Sequence, residues 1–364
     1  MDEKLIDVGV LLPAAHMKKY TRPIPYCFSG LFPKGRDIAR KNGINLFMFS
    51  VDGIDPTAKT INGRFFDRKG RPYRDTIGYP AIVDNFTPGH AIRSKALNHL
   101  SKFATFTRSL TKETKKEKMD AMSQIKSLQP FLTMENDIIH SQEDLMASLS
   151  KNGGSVFVKP ASGGGGITTS RSMYAKIIQN GDIITITDNE GERTLTKEEM
   201  SEFYQNTFAK FSHVSESFIN STAKNGDALV LRLTIKRGAE GKFVNTAYYC
   251  TTTPGVTAKL NARGSVQKPA ESFLDEEFLE HKEHIEEQVA MIRSILINEF
   301  AYYRGREIFN FGIDLGIEAK TNGKPVVKIF EVNIGSVAVR DAQLNAEVCF
   351  GYYKYLNKKR QQNL

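Results

Sequence analysis

A chain of 364 residues is long enough for two or three domains of about 100 to 200 residues each, with a sizeable core. No apolar run approaches the roughly 20 residues of a membrane span, so a helical membrane protein is excluded, and Cys27, Cys250 and Cys349 are too widely spaced for a zinc set or a disulfide framework. The net charge of +9 comes largely from residues 112–118 and 358–360, with no interleaved aromatics, so it favours anionic substrates over a specific nucleic-acid partner.

The chain opens with a strand over Leu5 to Leu12. Its apolar part, Val8 to Leu12, follows Asp2, Glu3 and Asp7 and is too short for a secretory segment. Together with the cysteine usage this places the protein in a reducing, cytoplasmic setting. A loop rich in Pro and aromatics runs from Tyr20 to Phe32, an amphipathic stretch from Gly35 to Asn42, and a strand from Ile44 to Ser50. That alternation predicts a small α/β domain ending near residue 95, within a first unit of residues 1–100. Residues Ser94 to Leu128 have a helical pattern with a basic middle and stop before Gln129-Pro130. Ser141 caps a short helix, and residues 171 to 200 read as a hairpin with its tip near Asp188 to Gly191. Thr196 and Glu199 then form a capping box for the next helix, which completes a lid subdomain. Further units are expected over residues 101–219 and 220–355, followed by a basic tail over 356–364. A long amphipathic helix spans 275 to 303; its His281 and His284 lack the Glu of a His-Glu-x-x-His metal motif.

Two stretches carry chemistry. In Ser155-Val-Phe-Val-Lys-Pro-Ala-Ser-Gly-Gly-Gly-Gly-Ile167, a strand delivers Lys159 into Gly163, Gly164, Gly165 and Gly166. Four residues without Cβ can turn their amides toward a phosphate, and the lysine supplies a compact positive charge. The run is neither a Walker A loop nor a Rossmann fingerprint, and a plain flexible loop would look the same.

The second stretch is a hairpin, Phe309 to Glu318 and Pro325 to Asn333. With Asn322-Gly323 at the centre of a type I′ turn, Thr321 faces Lys324 and the same register sets Asp314 opposite Glu331. Asn333 then lies beside Glu331. Carboxylates facing each other across strands are destabilising without a cation between them, and three hard oxygen ligands suit Mg²⁺ or Mn²⁺. An ordinary polar hairpin, or a bulge that separates the pair, is the other arrangement this pattern allows.

The order of these motifs resembles the ATP-grasp ligases over about residues 115 to 350. The likeness is to the YheC/YheD-type, endospore coat-associated group, and more distantly to the RimK and glutathione synthetase type. Ile61-Asn-Gly-Arg and Gly78 to Phe86 are similar to the preceding domain of that group, although Asp84-Asn85-Phe86 replaces a Tyr-Asn-Arg-like triplet. The resemblance implies an α+β ATP-grasp fold behind an N-terminal α/β domain, with ATP and Mg²⁺ as cofactors.

By the same resemblance, Lys118, fifteen residues before Thr133, is the first ATP lysine, with Lys115 and Lys116 as near neighbours. A surface lysine in a charged helix would read the same way. His213-Val-Ser-Glu-Ser-Phe-Ile219 resembles the linker that binds adenine, with Glu216, Phe218 and Ile219 as nucleotide contacts and Ser215 where Gln is usual. Leu229 to Lys236 alternates, so Arg232, Thr234 and Lys236 share one face; Arg232 resembles the arginine that meets the γ-phosphate or acyl phosphate, and an exposed basic face would alternate alike. The loop from Thr251 to Ser265 is the expected acceptor region, with Asn261 and Arg263 as candidates. After Asn333 the chain has Ile334-Gly-Ser-Val-Ala-Val-Arg-Asp341 in place of the usual proline.

The activity so implied is ATP-dependent joining of a carboxylate to an amine through an acyl phosphate, with Arg232, Lys159 and Arg263 as the catalytic set. A kinase passing the phosphoryl group to a hydroxyl, or a non-catalytic ATP-binding coat or envelope protein, would carry many of the same motifs. Homo-oligomer formation is left open.

Overall fold

The computed structural model describes residues 5–19, 39–67, 71–86, 94–108, 114–133, 137–161, 174–188, 191–209, 212–254, 264–318, 323–334 and 341–362. Three sheets organise them.

The first sheet contains β1 (Ile6–Leu11), β2 (Ile44–Phe49), β3 (Ile54–Asp55), β4 (Thr60–Phe66), β5 (Pro72–Gly78), β6 (Ile82–Asn85) and β7 (Thr105–Phe106), in the order β3-β4-β2-β1-β6-β7 with β5 beside β4. Strands β1, β2, β6 and β7 run parallel. The apolar runs of β1, β2 and β6 are buried on both faces, as a covered parallel sheet requires. Helices α1 (Ala14–Lys19) and α2 (Lys95–Leu100) accompany it, and Ser94 caps α2 by accepting from the Leu97 amide.

The continuous helix expected over 94–128 is therefore two helices. After Leu100, Thr105-Phe106 joins the sheet as β7, because β-branched and aromatic side chains suit the pleat, and the first sheet extends past residue 100. Helix α3 (Lys115–Ser123) is separate and starts at a Thr114–Glu117 capping box.

The second sheet has β8 (Asp137–Ile139), β9 (Ser155–Pro160), β10 (Ala175–Asn180), β11 (Ile183–Asp188), β12 (Gly191–Thr196) and β13 (His213–Ser217), in the order β12-β11-β10-β9-β13-β8. Helices α4 (Gln142–Lys151) and α5 (Lys197–Thr207) cover its apolar face. Both start at capping boxes, Ser141 with Asp144 and Thr196 with Glu199. The hairpin tip sits where Asp188 pairs with Gly191, and β10 adds a third antiparallel strand.

The third sheet is wholly antiparallel and positions the site. It contains β14 (Ala228–Arg237), β15 (Phe243–Thr253) and β16 (Val266–Pro269); the short β17 (Tyr302–Tyr303) and β18 (Arg306–Glu307) pair separately, and β19 (Asn310–Glu318) and β20 (Val326–Ile334) complete the order β16-β15-β14-β19-β20. Helices α6 (Ala270–Glu277) and α7 (Lys282–Glu299) pack on one face through Phe273, Leu274, Ile285, Ile292 and Leu296. The single helix expected over 275–303 breaks at Phe278, whose φ of −134° is not helical; its ring packs near Phe273, 6.4 Å between centroids.

Helix α8 (Ala342–Gln362) crosses back to the first sheet. Ala346, Cys349, Phe350, Tyr353 and Leu356 recur at helical spacing and join Val8, Val10, Ile44 and Ile82 in one core. Residues 356–362 are thus helix and not a basic tail. Their charges form its outer face: Lys359 reaches Glu307 at 3.0 Å and Arg360 donates to the Ala81 carbonyl at 3.3 Å. Among the described residues, no helix is long and apolar enough to cross a membrane.

Candidate active site

The hairpin β19–β20 sets the site's geometry. Asp314 pairs with Glu331 and Gly312 with Asn333. On the turn side the register is one residue shorter, with Leu315 opposite Ile329 and Glu318 opposite Val326. A two-residue Asn322-Gly323 turn would have set Glu318 opposite Val327, so the register next to the turn differs from the expected one; Thr321 and Asn322 lie outside the described residues.

A β-bulge at Phe330 absorbs the difference. It was the feature that could have separated the carboxylates; here it brings them into register. It also reverses the side-chain alternation: Val327 and Ile329 face the core before it, Val332 after it, and Glu331 and Asn333 turn to the opposite face. Gly316 makes this arrangement feasible, because any Cβ there would overlap the Phe330 ring.

Arg232 on β14 is the cross-strand partner of Asp314, and its Nε lies 2.5 Å from Oδ1. Both are nearly buried, at 8% and 5% exposure, which rules out an exposed basic face. Leu229, Leu231, Leu233 and Ile235 point into the core, as the alternation predicts. Thr234 and Lys236 share the Arg232 face and are buried as well.

Lys159 lies near the end of β9 and Glu216 on the neighbouring β13, and their side chains meet at 2.5 Å in the interior. Lys159 also approaches the Phe330 carbonyl at 3.5 Å. Lys118, from α3, donates to the Val332 carbonyl at 3.1 Å and is buried, in contrast to a solvated helix lysine. Lys118, Met122, Lys159, Phe330 and Glu331 line one small pocket. Three chain segments separated by up to about two hundred residues thus place two ammonium groups beside the carboxylate hairpin. Phe218 lies farther along the linker after Glu216, with the Lys176 ammonium 4.4 Å from its ring centre; Ile219 follows, half-buried.

Tyr174 belongs to this group and is absent from the sequence-based set. It directly precedes β10, and its hydroxyl pKa is raised by burial and then by the Glu331 charge, with Lys159 opposing. Strand register is what places it: Ala175 pairs with Val158, so Tyr174 is next to face Lys159. Gly163, Gly164, Gly165, Gly166, Asn261 and Arg263 lie outside the described residues.

The donor set fits a hard divalent cation. Asp314 and Glu331 are directly opposed carboxylates on one strand pair, with Arg232 beside Asp314, and Asn333 adds a neutral oxygen on the same face.

A family model described as YheC/D-like ATP-grasp matches residues 104–349. Among solved structures, the chain is similar to the VanG D-Ala:D-Ser ligase from Enterococcus faecalis, at 11% identity over 97% of this chain and 99% of that one, with a TM-score of 0.50. It is also similar to a RimK domain ATP-grasp protein from Sphaerobacter thermophilus, at 11% identity over 96% and 98% of the two chains, TM-score 0.43. A third is an N5-carboxyaminoimidazole synthetase from Staphylococcus aureus complexed with ADP, at 10% identity over 93% and 72%, TM-score 0.46. At such identities the first of these likenesses is one of fold alone. No curated protein matches the chain by sequence.

Proposed function

Because the chain belongs to the YheC/D-like ATP-grasp family, we propose that it is an ATP-dependent ligase that joins a carboxylate to an amine through an acyl phosphate. The observation that carries this reading is the convergence of Lys118, Lys159 and Glu331 on one pocket, with Asp314 and Arg232 beside it.

In this reading Lys118 and Lys159 bind the ATP phosphates, aided by Gly163 to Gly166, while Glu216, Phe218 and Ile219 hold the nucleoside. Lys159 is compensated by Glu216, so a polyphosphate competes with that carboxylate for the ammonium. Asp314, Glu331 and Asn333 would hold Mg²⁺, which when bound supplies positive charge to the phosphate oxygens. A substrate carboxylate oxygen attacks the γ-phosphorus and ADP leaves. The amine nitrogen then attacks the acyl carbon, loses a proton, and inorganic phosphate departs. Arg232 offsets charge on the phosphoryl group in both steps, and no side-chain nucleophile is needed. Asn261 and Arg263 orient the acceptor. Positioning supplies most of the rate. The buried, unpaired thiols of Cys250 and Cys349 suit a reducing cytoplasm.

The test is the product. With ATP, a pooled carboxylate set and a pooled amine set, mass spectrometry should find a condensation product one water lighter than the sum of its precursors. A product that keeps the phosphoryl group would instead establish a kinase.

A further inference from the structure

A second cluster of buried charge lies where the first sheet meets β14 and α8. Arg108 follows β7, with its side chain 8% exposed, and Lys236, on the Arg232 face of β14, is 2% exposed. Asp84 at the end of β6 is the carboxylate placed with them, and its acceptor capacity is already engaged: Thr107 donates to Oδ1 and Tyr353 to Oδ2, each at 2.6 Å. Arg108 Nε reaches Asp84 Oδ1 only at 3.5 Å, and Arg108 Nε and Nη1 have no hydrogen-bond partner among the described residues. The guanidinium carbon lies 3.6 Å from the centre of the Phe86 ring. The Lys236 ammonium donates to the Asn345 side chain, an uncharged partner, and Thr234 Oγ1 on the same face is buried with no hydrogen-bond partner among the described residues. Burial lowers the Lys236 pKa, and Arg108 adds to the drop while Cys349 and Asp84 oppose it.

Among the described residues, two cations against one carboxylate leave a buried positive excess with open donors. Buried charge is tolerated when it is paired, and unmade hydrogen bonds to charged groups are costly. The position has a second meaning. Chain order passes from β1 to β2 on one side and later to β6 on the other, so the carboxyl ends of β1 and β6 flank a topological switch point, where open α/β sheets bind ligands. Arg108 and Asp84 stand at that edge.

We propose that Arg108 and Lys236 form a subsite for a second carboxylate of the substrate, remote from the reacting group. This rests on the ligase reading above and narrows its substrate class. Arg232 and Lys236 are four residues apart on one strand, about 13 Å between Cα atoms. The substrate is therefore an extended molecule with an acidic far end, such as a dicarboxylate or a peptide terminus, whose reacting group lies beside Arg232.

The experiment measures binding of suberate, sebacate and dodecanedioate to the full chain by calorimetry and thermal shift, with acetate and inorganic phosphate as comparison anions. Variants are Arg108→Met, Lys236→Met and Arg108→Lys. At least one dicarboxylate should bind the wild-type chain and bind each Met variant about tenfold or more weakly, a loss on the scale of one charged hydrogen bond. The Met variants should melt at or above the wild-type temperature without ligand, since a buried charge is removed, and Arg108→Lys should recover part of the affinity. Nucleotide binding is measured separately with Mg²⁺-ADP, so loss of the nucleotide alone sinks the ligase reading and leaves the carboxylate result standing. Absence of dicarboxylate binding to the wild type, equal binding by the Met variants, or preference for phosphate would overturn the subsite.

Discussion

The Phe330 ring lies over Gly316, and a side chain at 316 would overlap it. Since the bulge at Phe330 is what turns Glu331 and Asn333 onto the Asp314 face, this contact ties the backbone of β19 to the shape of the site. Gly316→Ala should cost about 1–3 kcal/mol of stability by overpacking and weaken Mg²⁺-ADP binding as well. Adding Phe330→Ala should recover part of the stability. Urea denaturation of the four corners of the double-mutant cycle should give a coupling above about 0.5 kcal/mol; additive effects would mean that the ring moves aside freely.

Lys159 and Glu216 form an ion pair inside the protein, so their removal should be asymmetric. Glu216→Gln strands a buried ammonium and should cost about 3–5 kcal/mol. Lys159→Met with Glu216→Gln should be more stable than Glu216→Gln alone, because the stranded charge is gone. Chemical denaturation decides this, while calorimetry with Mg²⁺-ADP should show that every variant lacking Lys159 loses nucleotide affinity.

Helix α3 carries Lys118 and begins at the Thr114–Glu117 capping box, which Arg304 braces at 2.8 Å. Thr114→Ala should cost about 1 kcal/mol. The Glu117 carboxyl pKa falls to about 2 from 4.5, first through the Thr114 backbone amide and then through Arg304 and the Thr114 hydroxyl. A depressed carboxyl pKa stabilises above the unfolded value and loses that stabilisation as pH falls through the folded one. The difference in melting temperature between wild type and Glu117→Ala should therefore be full near neutrality and shrink from about pH 4.5 toward pH 2. Glu117 is half-exposed, so its contribution is modest and should weaken further in salt. A constant difference across that range would show that Glu117 acts only through helix propensity.

Much of this site was legible because it rests on short-range patterns. Alternation of period two put Arg232 on the polar face of its strand, and the Ser141 cap and the Thr196–Glu199 capping box marked the starts of α4 and α5 from short windows. The Asp314–Glu331 pairing was anticipated from a two-residue turn, yet the paired strands reach it through a bulge, since one inserted residue and a glycine under its ring leave no periodic trace. Burial of Lys236 was not legible either: it depends on α8, more than a hundred residues downstream, and on the first sheet. The same long-range packing explains why residues 356–362, basic when read alone, continue a helix. Tyr174 was missed because its place comes from strand pairing across the glycine-rich segment.

The most direct test of the central claim is release of ADP and phosphate by the full chain with Mg²⁺-ATP and pooled amino acids and carboxylates, run beside Glu331→Ala. The account predicts release that the pool stimulates and that falls by about a hundredfold or more in the variant, the scale on which one electrostatic group acts at such a site. Release that ignores the pool, or that survives intact in Glu331→Ala, would contradict it.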